Sequence, residues 1–299
     1  MKTLCALLIA LLIPESLSQS ACEESTASKI VGGYETDSEK HPFYTALVLS
    51  SQLKSNGSLL VVCGASLIKS NKILTAAHCY ADRRKKGGNW MSELSAVFDL
   101  KNRCKGEYGA SSSIIRVEIH PLYDPLTTNN DLAIATLSRN VLYDPVCLAP
   151  KGGGGISSAG YVVGYGATTE GGKSQPCKLM RAGVKIFPKN ECLQTEIKQL
   201  IKLVSGIVCA GLKSGIHDTC QGDSGGPLVR FENGIEILQG LTSFGRGCGR
   251  ANSPGVYTDV SYHRDWIDAQ IGTSFISSLM RGSRCGNLRQ TFGFIDFLS

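Results

Sequence analysis

Short apolar stretches that alternate with polar residues recur along this chain at 44–49, 59–63, 114–119, 161–163 and 235–241, and Gly, Asn, Ser or Pro separates them. A period of two over so few residues puts side chains on the two faces of a strand, and the stretches are too short for stable helices. The 34 glycines and the lack of long runs of strong helix formers point the same way. No repeat and no strand–helix–strand rhythm occurs, which argues against a parallel sheet and for an all-β chain. The one helix that the periodicity predicts is late, over 262–271, with Trp266, Ile267 and Ile271 on one face and Gly272 to end it.

The amino terminus bears on where such a chain folds. Met1-Lys2-Thr3, an apolar run over 4–13, Pro14 and the small residues Ser16, Ser18, Ser20 and Ala21 have the layout of a secretory signal peptide, assigned to 1–20. The run falls short of the roughly 18 apolar residues that cross a bilayer, and no later stretch reaches that length, so no membrane association is expected. The mature chain is then expected outside the cell, under oxidising conditions that pair cysteines. Of the 12 cysteines Cys5 leaves with the leader, and the remaining odd number leaves at least one without a partner in the chain. The formal charge of +6 is spread out, with no basic stripe interleaved with aromatics, which argues against nucleic-acid binding.

The chemistry gathers around Gly222-Asp223-Ser224-Gly225-Gly226-Pro227, where glycines let the backbone turn sharply and bare a serine. An α/β-hydrolase would use an acid and a histidine from further along, and Asp259 and His263 stand there, but that fold needs the parallel sheet argued against above. Upstream, Leu74-Thr-Ala-Ala-His78-Cys79 sets an imidazole beside a cysteine after an apolar stretch. Asn129-Asn130-Asp131-Leu132-Ala133 sets a carboxylate before another. Alone, His78 is as readily a satisfied structural histidine and Asp131 a turn cap. In the order His, Asp, Ser, with the glycine-flanked serine, they form a constellation for nucleophilic catalysis.

With these motifs in this order, the chain resembles the trypsin-like, chymotrypsin-fold serine proteases over about residues 30–272. The resemblance implies two six-stranded antiparallel β-barrels with a C-terminal helix. It implies that Ser224 is the nucleophile, His78 the base and Asp131 the group that orients it, with Ser243 supporting the buried aspartate. The backbone N–H groups of Gly222 and Ser224 would form the oxyanion hole. Asp218 would floor the primary specificity pocket beside Thr219, with Gly245 and Gly255 at its entrance, favouring Arg or Lys; the bland alternative for Asp218 is a surface carboxylate in a loop. Lys29-Ile30-Val31-Gly32-Gly33 fits a zymogen cleaved after Lys29, whose new terminus at Ile30 would insert and pair with Asp223. Residues 21–29 are then an activation peptide, 30–272 the peptidase domain, and 273–299 an extension without assigned role.

The resemblance also implies the disulfides Cys63–Cys79, Cys192–Cys209, Cys220–Cys248 and Cys22–Cys147, the last tethering the activation peptide. Gly160 and Arg230 stand where another family disulfide would be. Of the cysteines left, Cys104 and Cys177 are expected to pair and Cys285 to be free or intermolecular. A zinc site is the rival use of these cysteines, but ligand spacing is absent, and no metal or cofactor is expected. Asp99 and Glu107 match a calcium-binding loop only loosely. Asn56-Gly57-Ser58 is a glycosylation sequon and equally a hairpin turn. The basic run Asp82-Arg-Arg-Lys-Lys86 reads as a solvated loop, or as a border of the side that receives the leaving part of a substrate.

The expectation is a secreted, monomeric serine endopeptidase acting on polypeptides with Arg or Lys before the scissile bond, and open to protein inhibitors. The competing reading is an adhesion or binding module that keeps the protease fold with dispensable catalysis.

Overall fold

The structure, a computed structural model, describes residues 33–55, 57–87, 89–153, 158–167, 170–172, 174–212, 214–215, 222–272 and Cys285, with backbone alone at Asp82 and Lys86. Strands β1 (Tyr34–Glu35), β2 (Tyr44–Leu49), β3 (Val61–Lys69), β4 (Lys72–Thr75), β5 (Leu94–Asn102), β6 (Glu107–Ile119) and β7 (Ala133–Leu137) make up the first half. β2, β3, β4, β7, β6 and β5 close into a six-stranded antiparallel barrel. After β8 (Cys147–Leu148) come β9 (Ser158–Gly164), β10 (Met180–Pro188), β11 (Ile207–Gly211), β12 (Pro227–Glu232), β13 (Ile235–Phe244) and β14 (Gly255–Asp259). The last six pair antiparallel in a ring, β9 meeting both β10 and β12, and so close the second barrel.

The side chains explain the closure. Leu47, Leu67, Ile73, Leu74, Phe98 and Ile134 are fully buried in the first barrel, and Tyr161, Val162, Leu228, Leu238 and Tyr257 in the second. Removing each large apolar side chain from water contributes about 1.5–3 kcal/mol, which is what holds short, glycine-punctuated strands in register. β6 alternates where one face meets solvent, whereas β3 is buried along most of its length because it also faces the second barrel.

Among the described residues, four α-helices accompany the barrels: α1 (His78–Lys86), α2 (Lys189–Cys192), α3 (Lys198–Ile201) and α4 (Arg264–Ile271). The predicted late helix is α4, entered two residues later than the periodicity indicates and ended by Gly272 at φ +63°. The basic run is not a loop; its residues continue α1, where Arg83 donates to the Cys79 carbonyl at 2.8 Å and lies 3.4 Å from Glu93. Arg84 and Lys85 are exposed.

Disulfides join Cys63 to Cys79, Cys192 to Cys209 and Cys104 to Cys177. Cys248 is disulfide-bonded with a partner outside the described residues. The expected Cys22–Cys147 link is corrected, as is the unpaired state of Cys285: Cys147 pairs with Cys285, at a Cα separation of 5.5 Å. The reason lies in how α4 docks. Its buried Arg264 donates to the carbonyls of Ala149 (2.9 Å) and Leu148 (3.3 Å), and Lys151 bonds Asp265, so the first turn of α4 is held against the segment that carries Cys147, where Cys285 also packs.

Candidate active site

The two barrels meet where β3 passes the turn 222–226. The Gly64 N–H donates to the Ser224 carbonyl at 2.8 Å, and a Cβ on Gly64 would stand 2.7 Å from the Gly226 Cα, so only glycine admits this approach. The turn itself needs glycine: Gly222 lies at φ +100° and Gly225 at φ +76°, a region that L side chains rarely adopt. A Cβ on Gly225 would also fall 2.1 Å from Thr75 Oγ1. The local sequence thus presents Ser224, half-buried, at the rim of the second barrel facing the first.

From the first barrel, β4 delivers His78 as the opening residue of α1, with Cys63–Cys79 fixing the adjoining turn to β3. Asp131 precedes β7 and is fully buried. Its Oδ2 lies 2.8 Å from His78 Nδ1 and accepts from Ser243 Oγ at 2.5 Å, while Oδ1 accepts from the His78 backbone N–H at 3.0 Å. Three donors satisfy a carboxylate that would otherwise be costly to bury. A carboxylate only accepts, so Nδ1 carries the ring proton and Nε2 the lone pair of the neutral imidazole. Thr258 Oγ1 donates to the Asp131 carbonyl at 2.8 Å and so ties the residue to β14 across the barrel boundary.

Asp223 is buried and accepts from the Gly166 N–H at 2.8 Å, with Gly164 and Gly166 leaving no room for a side chain against its carboxylate. Loss of solvent, and after it the nearby Asp223 carboxylate, raises the phenol pKa of buried Tyr44. Gly245 and Gly255 face one another, a Cβ on the first lying 3.9 Å from the Cα of the second. Asp218, Thr219 and Cys220 lie outside the described residues, as do Cys22, Lys29, Ile30 and Asn56.

Asp259 and His263 do not converge on Ser224. The Asp259 carboxylate takes Gln239 Nε2 at 3.0 Å and the Ser261 N–H at 2.9 Å, and the His263 ring nitrogens lie by the Asp259 carbonyl and Asn130 Oδ1. Asp99 and Glu107 do not meet as a cation site either. Asp99 accepts from Ser38 Oγ and faces Lys101, whereas Glu107 reaches Lys105 at 4.0 Å. Among the described residues, the one cluster with metal-ligand proximity is Cys63, His78 and Cys79, and its two sulfurs are bonded to each other.

Two polar residues beside the site carry no motif. Arg103 donates to the carbonyls of Leu59 (2.8 Å), Gln175 (2.7 Å) and Pro176 (3.0 Å), and Gln175 holds both backbone groups of Val61. These contacts join loops far apart in the chain, and no local spacing announces them.

The family model for Trypsin matches residues 30–267. A trypsin of Saccharopolyspora erythraea is 32% identical over 83% of this chain and all of its own length. Trypsin-1 of Astacus astacus is 31% identical over 80% of this chain and 99% of itself. The suppressor of tumorigenicity 14 protein homolog of Bos taurus is 33% identical over 82% of this chain, which spans 28% of that relative's length.

Proposed function

The chain belongs to the trypsin family of serine proteases, and from that premise we propose that it is a secreted endopeptidase that cleaves after Arg or Lys once cut after Lys29. The observation that carries the reading is the Ser243–Asp131–His78 hydrogen-bonded series, ending in an imidazole with its lone pair on Nε2, next to Cys79 whose sulfur lies 3.8 Å from the Ser224 carbonyl.

The chemistry follows from these atoms. Ser224 Oγ attacks the scissile carbonyl carbon and gives its proton to His78 Nε2, while the carbonyl π electrons move onto oxygen. The Gly222 and Ser224 N–H groups stabilise that oxyanion. Collapse of the intermediate breaks the C–N bond, and the imidazolium protonates the departing amine. Water then enters by the same route: His78 takes its proton, hydroxide oxygen joins the acyl carbon, and Ser224 leaves with the proton restored. Asp131 holds the ring orientation and stabilises the imidazolium throughout.

Asp218 is the proposed cation receptor for the Arg or Lys side chain, with Gly245 and Gly255 proposed at the pocket entrance, where neither adds a side chain to obstruct it. Asp223 is the proposed partner of the Ile30 amino group. The leader assigned to 1–20 supports secretion, and among the described residues no helix is long and apolar enough to cross a membrane.

The test is hydrolysis of matched peptide amides that differ only at the residue before the scissile bond, by chain cleaved after Lys29 and by the Lys29→Gln precursor. Turnover confined to Arg and Lys substrates, present in the cut chain and absent from the precursor, supports the reading. An Asp218→Ser enzyme that keeps the same preference would overturn the pocket assignment.

A further inference from the structure

We propose that Gln175 is a positioning residue for the oxyanion-binding turn, an inference that rests on the reading of Ser224 as the nucleophile. Its side-chain amide bonds both backbone groups of Val61, the Val61 N–H donating to Oε1 at 3.1 Å and Nε2 donating to the Val61 carbonyl at 2.7 Å. This pair of hydrogen bonds to one residue leaves a single chemically sensible orientation of the amide, because a flip would set donor against donor and acceptor against acceptor.

The oriented amide also touches the turn. Nε2 lies 2.6 Å from the point that a Cβ on Gly222 would occupy, so the amide lies against the Cα of Gly222. Val61 opens β3, and Gly64 on that same strand holds the Ser224 carbonyl at 2.8 Å. β3 therefore bears on the turn at two points: at Ser224 by the hydrogen bond from Gly64, and at Gly222 by contact with the Gln175 amide that Val61 holds. Those are the two residues whose N–H groups are assigned to the oxyanion.

What holds Gln175 is as specific as what it holds. The disulfide Cys104–Cys177 binds its loop to the first barrel two residues away. The Arg103 N–H donates to the Cys177 carbonyl at 2.7 Å, and the Arg103 guanidinium grips the Gln175 and Pro176 carbonyls. With its backbone anchored in this way and its amide held by Val61, Gln175 loses little freedom when the transition state forms, which is the condition for preorganised donors to act. Gln175 touches no reacting atom; it acts through Gly222.

The experiment compares parent and Gln175→Ala enzymes, cut after Lys29, on an arginyl peptide amide and with two inhibitors. A peptidyl argininal forms a hemiacetal with Ser224 and needs the oxyanion donors; benzamidine needs only a cation pocket. The expected result is a roughly tenfold fall in kcat with KM unchanged, part of the about 10²–10³ that one whole donor is worth. The argininal should weaken by a similar factor while benzamidine binding stays within about twofold. An unchanged argininal-to-benzamidine affinity ratio, whether both stay or both fall together, overturns the proposal. Gln175→Met keeps the length without the hydrogen-bonding amide, and the same ratio decides the matter if the alanine variant does not fold. Failure of the underlying reading looks different: the parent itself would neither turn over the amide nor bind the argininal.

Discussion

His78 Nδ1 and Asp131 Oδ2 stand 2.8 Å apart, and the same carboxylate oxygen accepts from Ser243, so the aspartate fixes both the tilt of the ring and which nitrogen bears its proton. A geometry in which one buried oxygen serves two donors makes the ring's tautomer, rather than its position, the sensitive variable. An orienting acid with that role has a distinct mutational signature.

Asp131→Asn is nearly isosteric, but its amide either presents a donor toward His78 Nδ1 or, flipped, sets its NH2 against the His78 backbone N–H. The ring turns to the wrong tautomer, and kcat should fall about 10⁴-fold while KM changes little. Steady-state kinetics on an arginyl amide, with benzamidine binding as a check on the pocket, measures this. A loss of less than tenfold would mean that Asp131 does not set the tautomer.

Stability should depend on pH through His41, a residue remote from the catalytic chemistry. Burial between the Phe43 and Tyr161 rings, aided by the positive charges of Arg181 and Lys40, pushes its pKa down from 6.5 to about 4. As pH falls, the unfolded chain takes up a proton near 6.5 and the folded chain only near 4. The neutral ring's contribution is therefore complete above pH 6.5 and is lost progressively down to about 4. The loss amounts to about 3 kcal/mol. Tm measured from pH 7.5 to 4.5 should drop, and His41→Gln should flatten the profile. His120, also held near 4 by burial, keeps a residual slope. An identical pH profile in His41→Gln would contradict the assignment.

The Cys147–Cys285 link ties the chain beyond α4 to the segment before the second barrel. Non-reducing peptide mapping should recover a fragment joining Cys147 to Cys285 and none joining Cys147 to Cys22. The segment 21–29, proposed as an activation peptide, would then have no tether at Cys147 after cleavage at Lys29. Cys285→Ser should lower stability by about 2–4 kcal/mol with kcat/KM retained. Recovery of Cys22 bound to Cys147 would overturn the pairing.

How much of this was legible beforehand follows the range of each interaction. β2 was readable to the residue because a short, mostly apolar run is bounded by polar residues, and α4 to within two residues because apolar spacing and Gly272 are local signals. The order His78, Asp131, Ser224 was readable as motifs, but the meeting of His78 with Asp131 across 53 residues is the work of the barrel. α1 escaped notice since its charged run has no apolar period; it forms where Cys79 is bonded to β3 and Arg83 folds back on the helix. Gln175 was invisible because its partner Val61 is 114 residues away, and a lone glutamine in a polar loop resembles any other. Cysteine arithmetic left Cys285 over, since counting cannot tell that Arg264 and Lys151 hold α4 beside Cys147.

Ser224 is proposed as a nucleophile activated by His78, and intact-mass measurement of the chain cut after Lys29 and treated with diisopropyl fluorophosphate decides it. One adduct is expected, mapped to Ser224, absent in Ser224→Ala and slowed by orders of magnitude in His78→Ala. A cut, folded chain that takes no adduct, or one labelled as fast without His78, would contradict it and favour a binding module on the same fold.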